Sequence, residues 1–235
     1  MNEPEPTTPY LRQVRSFVRR EGRMTDGQQR AMAALWPRYG VEAPTAPLDL
    51  AQLFGRAAPV TFEIGFGMGD YLHARVIAES QRDFFGVEVH RPGVGRLMNR
   101  VHAAGADNLR VASHDAVEVL RDWLPEASLD EIVVQFPDPW HKKRHHKRRL
   151  IQPAFARLAV SRLKPGGELW LATDWAPYAE HMRDVLNAEG GLQNLSPDGG
   201  YVPRPPTRIR TKFEQRGERL GHAVFDLAYR RPPAG

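Results

Sequence analysis

Residues 60–69 read Val60-Thr61-Phe62-Glu63-Ile64-Gly65-Phe66-Gly67-Met68-Gly69. A short apolar run with one acid near its end gives way to glycines at alternate positions, and residues 71–80 then have helical character. Strand, glycine-rich turn, helix is the opening of a nucleotide-type βαβ unit. The glycines allow a tight turn and a close backbone approach to a ligand. Their spacing is G-x-G-x-G, without the third spaced glycine of G-x-G-x-x-G, which argues against a pyrophosphate cradle and against NAD.

Outward from this turn the pattern repeats. Residues 84–89 (FFGVEV) form a second expected strand ending in an acid, and Glu88 lies 25 positions after Glu63. That is close to the offset of about 20 residues at which an acid receives ribose hydroxyls. A helix over 93–104, a strand over 109–112 and a helix over 116–123 opened by Asp115 follow. Next come a strand over 129–135, a helix over 150–163, a turn at 164–167, a strand over 168–173 and a helix over 177–189. Strands alternating with helices imply a mostly parallel sheet covered on both faces. Beyond Gly199-Gly200 the pattern changes. Residues 207–214 alternate and 222–229 are apolar again, which reads as an antiparallel pair at the sheet edge. The expected fold is therefore α/β, with residues 59–235 as one domain. Residues 1–58 form an N-terminal arm and connector, of which 1–9 are expected to be disordered. Arg12, Arg15, Arg19, Arg20 and Arg23 make the arm basic, either to order on RNA or to stay solvated. A helix over 25–39 is expected to be limited by Pro37.

The strand over 129–135 runs into Phe136-Pro137-Asp138-Pro139-Trp140. Two prolines fix the backbone around one acid, at the carboxyl end of a strand, where open α/β sheets place ligands. Trp140 offers a flat face there, for a base or for core packing. Residues 141–149 then hold six Lys or Arg, three His and no acid. Such a block repels itself and wants an anion. The net charge of +5 and a pI near 9.7 also favour a polyanionic partner. The chain has no Cys, which excludes disulfides, cysteine nucleophiles and thiolate metal sites. No metal is expected at His141, His145 and His146 either, because the surrounding cations repel metal ions. With no basic-then-apolar leader and no apolar run near the ~20 residues of a membrane span, a cytoplasmic protein with no membrane contact is expected.

Acids at successive strand ends suit a ligand with ribose hydroxyls, an adenine amine and a positive centre, as in S-adenosyl-L-methionine. Each acid also has a plainer reading. Asp115 can be only a helix N-cap, Glu88 a solvated strand end, and Glu63 a partner of the glycine-turn backbone.

Six stretches carry a resemblance: FEIGFGMG (62–69), GVEVHRPGVG (86–95), DAVEVL (115–120), FPDPWHKKRHHKRR (136–149), LKPGGELWLATD (163–174) and TKFEQRG (211–217). Together they resemble the bacterial tRNA (guanine-N7-)-methyltransferase family. That resemblance implies a Rossmann-like, seven-stranded class I methyltransferase sheet and methylation of a tRNA guanine, at variable-loop position 46 in tRNA numbering. It implies S-adenosyl-L-methionine at Glu63, Gly65, Gly67, Gly69, Glu88, Asp115 and Asp138, with Asp138 also catalytic. Lys142, Asp174, Thr211, Lys212, Phe213 and Glu214 would meet the substrate. Arg144, His145, His146, Lys147, Arg148 and Arg149 would meet the RNA. The partner is then tRNA, acted on by a monomer or homodimer with no obligatory protein partner. Two other readings stay open: an exocyclic-amine methyltransferase of nucleic acid, and a non-catalytic RNA-binding protein on a methyltransferase fold.

Overall fold

The computed structural model describes residues 24–208 and 223–233. Seven strands form one sheet: β1 (Val60–Ile64), β2 (Asp83–Val87), β3 (Leu109–Ala112), β4 (Leu129–Gln135), β5 (Leu163–Thr173), β6 (Gln193–Asn194) and β7 (Phe225–Arg230). Their order is β3-β2-β1-β4-β5-β7-β6. The first five are parallel, and β7 runs antiparallel to both β5 and β6. The order reverses between β1 and β4, so the switch-point crevice lies at their carboxyl ends. Ile64 of β1 is the register partner of Val134 of β4. The glycine turn and the proline-flanked loop therefore leave the sheet side by side.

Every residue of β1 and β2 is buried, as expected of strands covered on both faces. Val60, Phe62 and Ile64 point into one core with Ile132, Val134, Leu169, Leu171 and Leu227. This core is closed by α5 (Ala116–Glu118) with its continuing π turn Val119–Trp123, α6 (Pro153–Arg162) and α7 (Ala176–Asn187). On the opposite face Phe84, Leu109 and Val111 meet α1 (Asp26–Tyr39), α3 (Asp70–Ala78) and α4 (Arg91–Ala103). A short helix, α2 (Leu50–Phe54), is capped by the Asp49 carboxylate, which accepts from Gln52 N at 3.0 Å.

Three local expectations are altered by packing. Helix α1 continues past Pro37 to Tyr39. Tyr39 is fully buried and donates to Ala106 O at 2.9 Å, which holds the last turn against α4. Met32 and Leu35 share that core, so this part of the N-terminal segment is built into the domain. The turn expected at 164–167 is a bulge inside β5, falling between the Leu129–Leu163 and Glu131–Glu168 pairs. A Cβ on Gly167 would lie 2.9 Å from Lys164 O and 3.0 Å from Leu129 O. Finally, the antiparallel strands at the C-terminal end include β6 beside β7, and of the stretch 207–214 only Thr207 and Arg208 are described, outside any strand. The rest of that stretch lies outside the described residues. Among the described residues no helix is long and apolar enough to cross a membrane.

Candidate active site

The site starts from the glycine turn. Gly65, Gly67 and Gly69 have φ of +70°, +57° and +74°, a left-handed region that costs other residues about 1–2 kcal/mol. Gly65 N donates to Val87 O at 2.8 Å, tying the turn to β2. Cβ atoms on Gly65 and Gly67 would meet nothing within 4 Å. Both residues line a cavity of about 480 Å³, so bare backbone forms part of its wall. Behind the turn the packing is tight. A Cβ on Gly93, in the first turn of α4, would fall 1.9 Å from Gly67 O.

Glu88 directly follows β2 and lines the same cavity. Its Oε2 accepts from Gly67 N at 2.7 Å and its Oε1 from His90 N at 2.8 Å. This carboxylate fixes the turn, and each oxygen keeps a second lone pair for a hydroxyl donor. Asp115 caps α5, its Oδ1 accepting from Val117 N at 2.9 Å. The cavity wall beside it is His114, which pairs with Glu118 at 2.8 Å. Sequence reading had singled out neither His114 nor His90.

Glu63 lies elsewhere. It is 3% exposed, is absent from the cavity wall, and its Oε2 has no hydrogen-bond partner. Across from it Arg75 is paired with Glu79 and Glu131. Burial pushes the Glu63 pKa up to about 8, against the opposing pull of Arg75. Between about 4.5 and 8 the folded chain therefore holds a proton that the unfolded chain has shed. Stability falls as pH rises through that window and levels off above it. Glu63→Gln is expected to match the parent near pH 5 and to exceed it by roughly 2–4 kcal/mol at pH 8.5, measured by urea unfolding at both values. Equal effects at the two pH values would rule out a protonated Glu63.

The loop after β4 forms the other wall. Phe136, Pro137 and Asp138 line the cavity, with Asp138 exposed at its rim. Phe136 and Trp140 take φ of +50° and +47°, strained values for large side chains. Phe136 N donates to Ala172 O at 2.8 Å. Arg149 braces the loop from below, its Nε donating to Pro139 O at 2.9 Å and its guanidinium lying 4.8 Å from the Tyr178 ring centroid. At 4% exposure it is the exception in the basic run. Pro139 O, the His146 ring and the Tyr178 ring all engage its guanidinium, so Arg149 acts as an internal brace of the loop.

Residues Lys143–Arg148 form a 3₁₀ turn. Lys142, Lys143, Arg144 and Lys147 are exposed, while His145, His146 and Arg148 are half-buried. Desolvation and the surrounding cations hold the His145 pKa below its ordinary value. Arg148 covers the Trp140 ring at 5.0 Å and His145 meets that ring edge-on at 5.8 Å. At the end of β5, Asp174 is half-buried and Trp175 is exposed. Thr211, Lys212, Phe213 and Glu214 lie outside the described residues. Arg208, just before them, is buried against Asp226 with bonds of 2.8 and 2.9 Å, and its guanidinium is 5.8 Å from the Phe136 ring centroid.

S-adenosyl-L-methionine fits this cavity. The volume is in the range of small-ligand sites. Bare glycine backbone, the Glu88 carboxylate, apolar walls at Ile64, Val87 and Leu150, and a rim carboxylate at Asp138 match its ribose, adenine and charged parts.

A family model described as "Putative methyltransferase" matches residues 57–227. A tRNA (guanine-N(7)-)-methyltransferase of Cronobacter sakazakii is 56% identical over 94% of this chain and 92% of its own length. The protein of the same name from Yersinia pseudotuberculosis is also 56% identical, with the same coverage. The chain belongs to the tRNA (guanine-N7-)-methyltransferase family. Solved structures share the fold at lower identity. The 16S rRNA methyltransferase KamB superposes with a TM-score of 0.60 at 16% identity, over 83% of this chain and 99% of that one. The 16S rRNA (adenine(1408)-N(1))-methyltransferase of Catenulisporales acidiphilia gives 0.56 at 17% identity, over 84% and 99%.

Within this methyltransferase frame, the sequence-expected cofactor residues that line the cavity are Gly65, Gly67, Glu88 and Asp138, with His90 and His114 among their neighbours. Gly69 instead opens α3 as its N-cap, and Asp115 caps α5. Gly93 is a further residue whose part sequence reading missed. The available signal was a glycine directly after Pro92 in the first turn of a helix, where helix propensity alone disfavours it.

Proposed function

We propose that this chain transfers a methyl group from S-adenosyl-L-methionine to N7 of a guanine in tRNA, forming 7-methylguanosine. The observation that carries the reading is the path of one loop. It places Asp138 on the rim of the cavity and passes within six residues to the exposed cations Lys142, Lys143 and Arg144. A small-ligand site and a polyanion surface thus meet at one carboxylate. The variable-loop position, action as a monomer or homodimer, and a cytoplasmic setting belong to the same reading.

Guanine N7 carries an in-plane lone pair and loses no proton on methylation, so the chain need not supply a strong base. S-adenosyl-L-methionine, when bound, supplies an electrophilic methyl on a sulfonium. The protein's tasks are orientation and electrostatics. Asp138 accepts hydrogen bonds from the donor edge of guanine, points N7 into the cavity and favours the positive charge that the ring gains. Its backbone is held by the two prolines and by the Arg149 brace, so little reorganisation is needed. Glu88 and the glycine turn hold the donor's ribose, and Asp174 adds a second acceptor near the base. Lys142, Arg144 and Lys147 neutralise phosphates, and Thr211 to Glu214 extend the substrate contact.

The test is nucleoside analysis of unmodified bulk tRNA after incubation with the protein and S-adenosyl-L-methionine. New 7-methylguanosine supports the reading. A methylated exocyclic amine transfers the chemistry to the amine alternative, and tight RNA binding without methylation supports the scaffold. Asp138→Ala is expected to lower kcat by about 100-fold or more, on the scale of losing one electrostatic contact at a reacting centre. Affinity for tRNA should stay within about twofold, since phosphate contacts dominate it. Normal turnover in that variant would remove Asp138 from the mechanism.

A further inference from the structure

The methyl-transfer reading requires a surface on which an unstacked guanine can lie. Trp140 sits in the loop that carries Asp138, but its ring is already covered by Arg148 at 5.0 Å and met edge-on by His145 at 5.8 Å. The next strand end presents a different aromatic. Trp175 follows Asp174 at the carboxyl end of β5 and is 38% exposed, one of three exposed large hydrophobic side chains among the described residues. His141, three residues beyond Asp138, meets its ring at a centroid distance of 4.3 Å and an interplanar angle of 88°. A perpendicular contact of this kind covers at most one face of the indole. It also joins the two strand-end loops that hold Asp138 and Asp174.

We infer that Trp175, held in orientation by His141, is the stacking platform for the target guanine. This rests on the proposed methyl transfer to tRNA. An exposed indole at a sheet's ligand end costs solvation free energy that a stacked base recovers. Every base has a π-face, so the platform supplies grip and tilt, and the flanking carboxylates at positions 138 and 174 supply the choice of guanine. The guanine ring becomes cationic as the methyl arrives, and an electron-rich indole face attracts a cation more strongly than a neutral ring. Trp175 therefore acts more strongly in the transition state than in the ground state, and its loss falls on kcat as well as KM.

The experiment compares Trp175→Ala, Trp175→Leu and Trp175→Phe with the parent enzyme. It measures kcat and KM for tRNA, S-adenosylhomocysteine affinity and melting temperature. Alanine and leucine are expected to lower kcat/KM by about 10- to 100-fold, with part of the loss in kcat. Phenylalanine should stay within about fivefold of the parent, and all three should bind S-adenosylhomocysteine within about twofold. His141→Leu should give a smaller loss of the same kind. The inference is overturned if alanine matches the parent, if leucine matches phenylalanine, or if activity falls only together with cofactor affinity and melting temperature. A parent enzyme that forms no 7-methylguanosine would overturn the functional reading first, and this inference with it.

Discussion

Gly93→Ala is expected to lower S-adenosylhomocysteine affinity by about 100-fold or more. The added Cβ would sit 1.9 Å from Gly67 O and 2.9 Å from Gly67 C. Both atoms are backbone, so no side chain can swing aside. Relief requires α4 or the glycine turn to move by more than 1 Å, and the turn is also tied by Glu88 to Gly67 N at 2.7 Å. Gly67 is part of the cavity wall, so the shift reaches the ligand directly. Helix propensity predicts the opposite sign, because alanine in a helix interior is favoured over glycine by about 1 kcal/mol. Overpacking a filled site costs typically about 1–3 kcal/mol. Calorimetric titration with S-adenosylhomocysteine, alongside a melting curve, separates the two effects. Binding within threefold of the parent would mean that the close approach of α4 to the turn is not what shapes the cavity.

Removing the Asp226 carboxylate should cost about 3–5 kcal/mol of stability. Asp226 lies on β7 and is buried with Arg208, which it holds through two bonds of 2.8 and 2.9 Å. Its backbone carbonyl also accepts from Val202 N at 2.9 Å, so the chain before Arg208 is stitched to the same strand. Truncation takes a two-bond carboxylate partner away from a buried guanidinium, and the cost is chiefly the charge compensation lost there. For a chain of this size the melting temperature should fall by roughly 10 °C. Asp226→Ala is therefore expected to shift the urea midpoint down with an unchanged slope. The double variant Arg208→Met with Asp226→Leu should recover most of the loss, because it removes both charges together. A single variant within 1 kcal/mol of the parent would show that water reaches the pair. Because the Arg208 guanidinium also lies over the Phe136 ring, turnover in the single variant should fall further than stability alone accounts for.

The primary structure by itself determined the alternation of strands and helices, the glycine turn, the acids at the strand ends and the loop that joins Asp138 to a polycation. These features are local. A parallel strand buried on both faces must be an apolar run, a left-handed turn must be glycine, and a proline on each side of Asp138 restricts its backbone whatever surrounds it. Tertiary structure alone decided which of several equivalent side chains turns inward. Within the basic run nothing local separates Arg149 from Arg148, yet one braces Pro139 and the other covers Trp140. The difference arises from where α7 brings Tyr178, 29 residues away in sequence from Arg149. Glu63 and Glu88 likewise look alike as acids near strand ends. The pleat points Glu63 into the desolvated layer beside Arg75, while Glu88 stands one residue past β2 and reaches the turn. Trp140, which the sequence left open between a base and core packing, is covered by Arg148 and met edge-on by His145 for the same reason. A strand of two residues, β6, carries too little pattern to be read at all, and its place is set by β7. Periodicity and backbone sterics act within a few residues, and they settle the elements and the ends from which ligands are bound. Burial and charge compensation act between segments far apart in the chain, and they settle which atoms at those ends are left facing the ligand.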